Sequence, residues 1–144
     1  MHLHKKLIEK FLPFIGFAVL FAVIGGLNHD FLAPMNILNL LRQVSINALI
    51  AFGMTFVILT GGIDLSVGAI LALSSALMAG IMLHGCDPIL AIIIASLIGA
   101  LFGAMNGLLV TKGKIAPFIA TLATMTIYRG LTMVYTDGNP ITGL

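Results

Sequence analysis

Two polar residues two positions apart, Asp64 and Ser66, have the clearest chemical potential in this sequence. They lie in a glycine-containing segment, residues 60–68, between two long apolar runs. A carboxylate at the centre of a bilayer costs roughly 2.5–3.5 kcal/mol on insertion scales. We therefore expect Asp64 at a membrane boundary, in a protein-lined cavity or at a helix end. Either residue can cap the next helix, because free N–H groups and the helix dipole favour such groups.

Two carboxamides, Asn47 and Asn106, fall inside apolar runs. Hydroxyl side chains such as Thr55 and Thr121 usually bond to the backbone of their own helix. A primary amide has too many donors and acceptors to be satisfied in that way. We expect both asparagines to face other helices or a water path. Interhelical bonding and lining of a pathway both remain open.

The sequence lacks the usual patterns of catalysis and of cofactor binding. Residues 107–115 resemble a phosphate-binding loop only loosely, with wrong spacing and no Ser or Thr after the final lysine. His84, Cys86 and Asp87 share one short turn and lack metal-site spacing. No apolar run pairs a Ser or Cys nucleophile with a histidine base. We expect no catalytic residue, metal site or cofactor, and any transport would take its energy from elsewhere.

The composition decides the class of protein. Of 144 residues, 60% are hydrophobic and only 8% are charged, whereas soluble domains are about 25% charged. This predicts an all-α, polytopic transmembrane bundle, with residues 1–144 in one membrane domain. About 20 apolar residues cross a bilayer, so we predict four or five spans at 11–27, 44–60, 67–83, 89–110 and 116–135. The fifth is the weakest because it contains Arg129.

Basic residues predict the orientation, since they concentrate in cytoplasmic segments. They precede the first run and follow the fourth, at Lys5, Lys6, Lys10, Lys112 and Lys114. A cytoplasmic N-terminus agrees with both groups and places residues 60–68 on the cytoplasmic side. Arg42 is the exception. Just before it, we predict that Asn36 caps a short amphipathic turn, residues 37–43, at the membrane interface.

Small residues recur at every fourth position in the third and fourth runs. The rows are Gly68, Ala72, Ala76 and Gly80, then Ala91, Ala95, Gly99, Gly103 and Gly107. Small side chains let helix backbones approach closely in lipid. We predict that these rows pack the helices together.

The most distinctive stretches of the sequence are residues 47–60 running into 61–68, Asn106-Gly107, 117–122 and 129–136. In these stretches the sequence resembles the ribose-type sugar permeases of ABC importers. The resemblance covers nearly everything after about residue 32, and Ile-Asp-Leu-Ser-Val-Gly at 63–68 is its most specific part.

The resemblance implies a bacterial inner-membrane permease that moves ribose or a related monosaccharide into the cytoplasm and is not itself an enzyme. Its implied partners are a second permease copy, cytoplasmic ATP-binding subunits, a periplasmic sugar-binding protein and the surrounding lipid, with no nucleic acid. On this interpretation the pathway candidates are Asn47, Thr55, Asn106, Phe118 and Thr121. Asp64 and Ser66 form a helix cap or the cytoplasmic gate.

One departure from the family pattern concerns length. Members of that family are longer, and nothing here resembles the cytoplasmic segment that couples to the ATP-binding subunit. We therefore expect the chain to correspond to the N-terminal part of a permease. The alternative function is a truncated helical scaffold that assembles with other membrane subunits without transporting.

Overall fold

The computed structural model describes the backbone of residues 2–143 and the side chains of residues 10–143. Over this range the chain forms five α-helices, one short 3-10 helix and no strand, which confirms the all-α prediction. The helices are α1 (His2–Leu27), α2 (Pro34–Leu59), α3 (Val67–Leu83), α4 (Pro88–Thr111) and α5 (Pro117–Thr136), with the 3-10 helix at His29–Leu32. The side chains of Lys5 and Lys6, used above to predict orientation, lie outside the described residues.

Three helices in the described range are long and apolar enough to cross a membrane. They contain the segments Lys10–Leu27, Pro34–Leu59 and Pro88–Thr111. The 17-residue helix α3 is apolar but shorter, and α5 is the most polar of the five predicted spans. The chain is thus a helical membrane protein, as its composition predicted.

Helix α2 corrects one prediction. Residues 37–43 are not a separate interfacial turn, because α2 runs unbroken from Pro34 to Leu59. No glycine or proline interrupts residues 35–52, and Pro34 suits a first helical position, where its missing N–H is not needed. Asn36 does not cap the helix either. Its Nδ2 donates to the carbonyl of Phe31 at 2.7 Å, so it holds the end of the 3-10 helix.

The chain divides into two compact units, Met1–Leu49 and Ile50–Leu144. In the first unit Asn28 caps the 3-10 helix, because its Oδ1 accepts the Asp30 N–H at 3.0 Å. The Phe21 and Phe31 rings meet edge to face at a centroid distance of 5.0 Å. These contacts turn the chain between α1 and α2.

In the second unit, α3 packs against both α4 and α5. Its core consists of Ala69, Leu73 and Tyr128, with Phe102 among the half-buried residues around it. The rings of Phe102 and Tyr128 lie 4.6 Å apart between centroids, which joins α4 to α5. The core thus adjoins the N-terminal half of α3 and supports the connection that precedes it.

The small-residue rows pack only in part. Gly80, Ala91 and Ala95 are buried and Ala76 and Gly99 are half-buried, whereas Gly68, Ala72, Gly103 and Gly107 are exposed. The reason is geometric: at 3.6 residues per turn, every fourth position drifts by about 40°, so a five-member row spans about 160°. One neighbouring helix cannot cover that arc. Within the described chain the exposed members do not pack helices together.

Gly80 offers a direct test of close packing. A Cβ at this position would overlap the Tyr135 hydroxyl and lie 2.9 Å from its Cζ, whereas one at Gly68 would meet nothing within 4 Å. We expect the new methyl group of Gly80→Ala to push aside the Tyr135 ring, which is 44% exposed, at a cost of about 1 kcal/mol relative to an alanine with free space around it. The measurement is reversible unfolding in mixed micelles.

The matched control is Gly68→Ala in the same helix, which should be neutral or slightly stabilising because alanine favours helix. Adding Tyr135→Ala should remove most of the cost of Gly80→Ala. Equal effects of the two glycine substitutions would contradict the packing described here.

Candidate functional site

The loop between α2 and α3, residues 60–66, is the non-helical backbone around which the polar side chains gather. Helix α2 ends at Leu59, and two residues later Gly61 has a φ of +76°, in the left-handed region that favours glycine. The N–H groups of Gly61 and Gly62 return to the carbonyls of Ile58 and Val57 at 2.9 and 3.1 Å. The Ser66 carbonyl accepts the Ile70 N–H at 2.9 Å, whereas residues 63–65 make no backbone–backbone hydrogen bond within the described structure and rely on side chains.

Asp64 organises the end of this loop. Its Oδ1 accepts the backbone N–H of Ser66 at 2.7 Å and the Ser66 hydroxyl at 2.6 Å. Ser66 occupies the N-cap position of α3, but its side chain bonds no helix N–H, which corrects the prediction that it caps the helix. The Ser66 hydroxyl instead donates to Asp64, and the same carboxylate oxygen accepts the Ser66 N–H just before the first turn of α3.

Asn106 continues this arrangement from α4. Its Nδ2 donates to the Ser66 hydroxyl oxygen at 2.6 Å, across 40 residues of sequence. Ser66 is fully buried, and Asn106 is 4% exposed. The result is a chain of hydrogen bonds from Asn106 through Ser66 to Asp64, which we call the relay. It fastens the start of α3 to the side of α4.

Thr121, at the start of α5, holds the loop from the other side. Its buried hydroxyl oxygen accepts the Leu65 N–H at 3.2 Å, a contact between residues 56 apart. The same hydroxyl can donate to the carbonyl of Pro117 at 2.8 Å or of Ile63 at 3.2 Å. One threonine thus satisfies loop backbone that would otherwise have no partner.

A cavity of about 300 Å³ opens between this loop and helices α4 and α5; we call it the loop cavity. Its polar lining is contributed by Thr60, Asp64, Asn106, Thr111 and Thr121, and its apolar lining includes Val57, Ile63, Val110 and Pro117. Gly103 and Gly107 form part of the α4 wall. Because neither glycine has a side chain, the space beside Asn106 stays open.

The structure brings together only some of the residues that the sequence singled out. Asp64, Ser66, Asn106 and Thr121 meet at the relay and the loop cavity. Thr55 is exposed and bonds back to the Ala51 carbonyl at 2.8 Å, as hydroxyls in helices commonly do.

Two further pathway candidates do not line the loop cavity. Phe118 is 52% exposed on α5, and Asn47 is exposed in the first compact unit. A pathway role for these two residues and Thr55 stays a prediction.

Two cavity residues, Thr60 and Thr111, were missed by the sequence analysis. Thr111 follows Gly103, Asn106 and Gly107 at helical spacing, so one face of α4 carries all four. That spacing was the available signal for Thr111. Thr60 has no comparable signal, since its place in the cavity depends on how the loop turns after Leu59.

Within the described residues, no group of three or more His, Cys, Asp or Glu side chains could hold a metal ion. What the site offers is a carboxylate, a carboxamide and hydroxyls around an open space. These groups can bind a polar molecule by hydrogen bonds.

Comparison with known proteins gives a consistent result. A family model described as the permease component of the branched-chain amino acid transport system matches residues 36–141. The chain is 70% identical over 136 residues to the ribose import permease protein RbsC of Bacillus subtilis, covering 94% of this chain and 42% of that protein. It is 54% identical over 129 residues to the protein of the same name in Haemophilus influenzae, covering 90% and 40%.

A third relative is the D-allose transport system permease protein AlsC of Escherichia coli, 45% identical over 137 residues and covering 94% of this chain and 42% of the relative. The chain spans about two fifths of the length of the curated relatives it matches. No solved structure matches the chain.

The relay predicts a specific pattern of stability. Ser66→Ala removes the hydroxyl that accepts from Asn106 Nδ2 and donates to Asp64 Oδ1. Because the buried Asn106 amide then has no partner, we expect a loss of about 1–3 kcal/mol in the free energy of unfolding. Combining Ser66→Ala with Asn106→Leu should cost less than the sum of the two single changes, because the buried amide is removed together with its partner. Reversible unfolding in mixed micelles measures both.

Ser96→Ala is the control, since Ser96 is exposed and bonds only to the Ile92 carbonyl of its own helix. Strict additivity of Ser66→Ala and Asn106→Leu would show that the two side chains do not act together.

Proposed function

We propose that this chain forms part of the membrane-spanning subunit of a binding-protein-dependent ABC importer. It belongs to the family of permease components of the branched-chain amino acid transport system. The proposed substrate is ribose or a related monosaccharide, carried into the cytoplasm. The observation that carries this proposal is the 70% identity over 136 residues to a ribose import permease.

The physical properties of the chain support this proposal. Three helices of the described range are long and apolar enough to cross a membrane, and the loop cavity is lined by a carboxylate, a carboxamide and hydroxyls. A pathway for a neutral sugar needs hydrogen-bonding groups of this kind and no fixed array of charges. We propose that Asp64 and Ser66 form the cytoplasmic end of this pathway, with Asn106 and Thr121 lining it. Asn47, Thr55 and Phe118 remain candidates for its other parts.

We propose that the chain is not itself an enzyme and that ATP hydrolysis in separate cytoplasmic subunits drives the transport. A periplasmic binding protein would deliver the sugar, and a second permease copy would complete the pathway. Hydrogen bonds such as those of the relay make adjoining helix ends move as one body, which suits a pathway opened by rocking whole helices.

The proposed location is the bacterial inner membrane, with the N-terminus in the cytoplasm. The placement of Lys112 and Lys114 after α4 supports this orientation, because basic residues favour the cytoplasmic side. It puts the loop cavity near the cytoplasm and the α3–α4 turn, with Cys86, outside. Residues 36–141 would then form part of one membrane permease domain.

Transport can be tested with a chimera. We exchange the matching segment of the Bacillus subtilis ribose permease for this chain and express the product in a strain that lacks its own ribose permease. Because the segments are 70% identical, we expect restored uptake of radiolabelled ribose. A hydrolysis-deficient ATP-binding subunit serves as the control and should abolish the uptake.

The alternative, a scaffold that does not transport, makes the opposite prediction. A chimera that reaches the membrane in normal amounts but takes up no more ribose than the deletion strain would contradict transport.

Orientation can be tested with the chain's own thiol. Cys86 is the only cysteine in the sequence and lies in the turn between α3 and α4. A membrane-impermeant maleimide added to spheroplasts, whose inner membrane is sealed, should label Cys86 from the outside. In a Cys86→Ser, Lys114→Cys variant, labelling should require inside-out vesicles. The reverse pattern would contradict a cytoplasmic N-terminus.

A further inference from the structure

A groove lies between α1 and α2 in the first compact unit, beside the turn that joins them. Its volume is about 340 Å³, and every side chain that lines it is apolar; we call it the apolar groove. Phe31 of the 3-10 helix closes the end nearest the turn. From there the lining runs along α1 from Ile24 to Phe17 and along α2 from Ile37 to Val44. Both helices are long and apolar enough to cross a membrane, so the groove is accessible to lipid.

The depth of the apolar groove matches one leaflet of a bilayer. Its lining begins three residues and ends ten residues from Leu27 and from Pro34, which is about 4.5–15 Å from the helix ends at 1.5 Å per residue. Helix α2 has 26 residues and is about 39 Å long, roughly 9 Å longer than the hydrocarbon core. Shared between the two ends, this excess puts the first turn of α2 among the lipid headgroups. The groove then lies at the depth of the acyl chains of one leaflet.

A polar cavity continues the apolar groove toward the turn. It has a volume of about 570 Å³ and also contacts Phe31; we call it the turn cavity. Its polar lining comes from Asn28, Asp30, Asn36 and Asn39. The first three belong to the turn and the first turn of α2, at headgroup depth, and Asn39 lies one helical turn deeper. A molecule that occupies the groove and the cavity together must be amphipathic.

The free atoms of the turn cavity define the headgroup that fits. Asn28 Oδ1 accepts the Asp30 N–H, and Asn36 Nδ2 donates to the Phe31 carbonyl, so Asn28 Nδ2 and Asn36 Oδ1 are left over. The carboxylate of Asp30 is exposed and makes no hydrogen bond or ion pair within the described structure. Carboxylate and amide oxygens accept from an ammonium group, and amide nitrogens donate to a phosphate. The carboxylate disfavours a headgroup with a net negative charge.

We propose that the turn cavity and the apolar groove bind one phospholipid with a primary ammonium headgroup, of the phosphatidylethanolamine class. The ammonium donates to Asp30 and to Asn36 Oδ1, and the phosphate accepts from the amides of Asn28 and Asn39. One acyl chain lies in the groove, against Phe31 at its upper end. The inference requires that α1 and α2 cross the membrane and does not depend on what the protein transports.

Quenching of a single tryptophan by brominated lipids tests the site in the full chain, reconstituted in bilayers. The chain contains no tryptophan, so Phe17→Trp introduces one reporter into the groove by a conservative change. The matched control is Phe14→Trp, because Phe14 does not line the groove and is 68% exposed on the same helix, against 67% for Phe17. The probes are phosphatidylethanolamine, phosphatidylcholine and phosphatidylglycerol, each brominated in its acyl chains and diluted with the same unbrominated lipid.

At Phe17→Trp we expect phosphatidylethanolamine to bind about two- to fivefold more strongly than either other lipid, the worth of an ion pair near an exposed surface. Phosphatidylcholine has the same net charge, but its quaternary ammonium has no proton to donate. At Phe14→Trp the three lipids should quench equally. Adding Asp30→Asn to Phe17→Trp should remove the preference, whereas Asp137→Asn, at an exposed acidic residue after α5, should leave it unchanged.

Three results would overturn the proposal. Equal quenching by the three lipids at Phe17→Trp would show that the groove holds any bilayer lipid. Quenching by none of them there, with normal quenching at Phe14→Trp, would show that protein, such as a second copy of the chain, covers the groove. A preference that survives Asp30→Asn would show that the carboxylate does not select the headgroup. Because no probe is a sugar, these outcomes are independent of the transport measured with the chimera.

Discussion

Backbone hydrogen bonding in a low-dielectric environment is the constraint on which this structure depends. Backbone N–H and carbonyl groups that packed helices shield from water must find partners in the protein, and Ser66 at the end of the α2–α3 loop is fully buried. Residues 60–66 meet this requirement through Asp64, which takes the Ser66 N–H, and through Thr121, which takes the Leu65 N–H. The loop is therefore fixed by two side chains, one of its own and one from α5.

Asp64 and Asn106 also form the candidate site, because the hydrogen bonds that hold the loop use only some of their donor and acceptor atoms. Asp64 uses one carboxylate oxygen, and Asn106 uses its amide nitrogen alone. Glycines on α4 keep the neighbouring space open. Ala69 and Leu73 of α3 pack with Tyr128 of α5, which holds the start of α3, and with it the end of the loop, in place. A structural junction and a cavity that can bind a ligand thus share their residues.

Much of the fold could be predicted from the sequence, because apolar runs and their polar breaks determine membrane helices almost directly. Helix α3 begins and ends at the predicted residues, and α4 differs by one residue at each end. The error at residues 37–43 arose because Asn36 was expected to cap a separate turn there. Asn36 instead lies inside α2, and nothing at residues 37–43 prevents a continuous helix.

The site was predicted less completely, for two physical reasons. A sequence shows that Asn106 needs a partner but not which one, since Ser66 lies 40 residues away and meets it only after α3 and α4 have packed. Nor does it show how a row of small residues turns around a helix relative to its neighbours. Gly103 and Gly107 therefore suggested packing, whereas the structure places them at the edge of a cavity.

The bond between Thr121 and Leu65 has a consequence for how the protein is made. The two residues are 56 positions apart, so α2 and α3 leave the ribosome well before the hydroxyl that secures their connection. At synthesis rates of about 5–20 residues per second, that interval is about 3–11 s. During this time the Leu65 N–H depends on water, lipid headgroups or the insertion machinery for its hydrogen bond. Entry of α5 thus completes the α2–α3 turn, and slow translation across the intervening codons would prolong the vulnerable state.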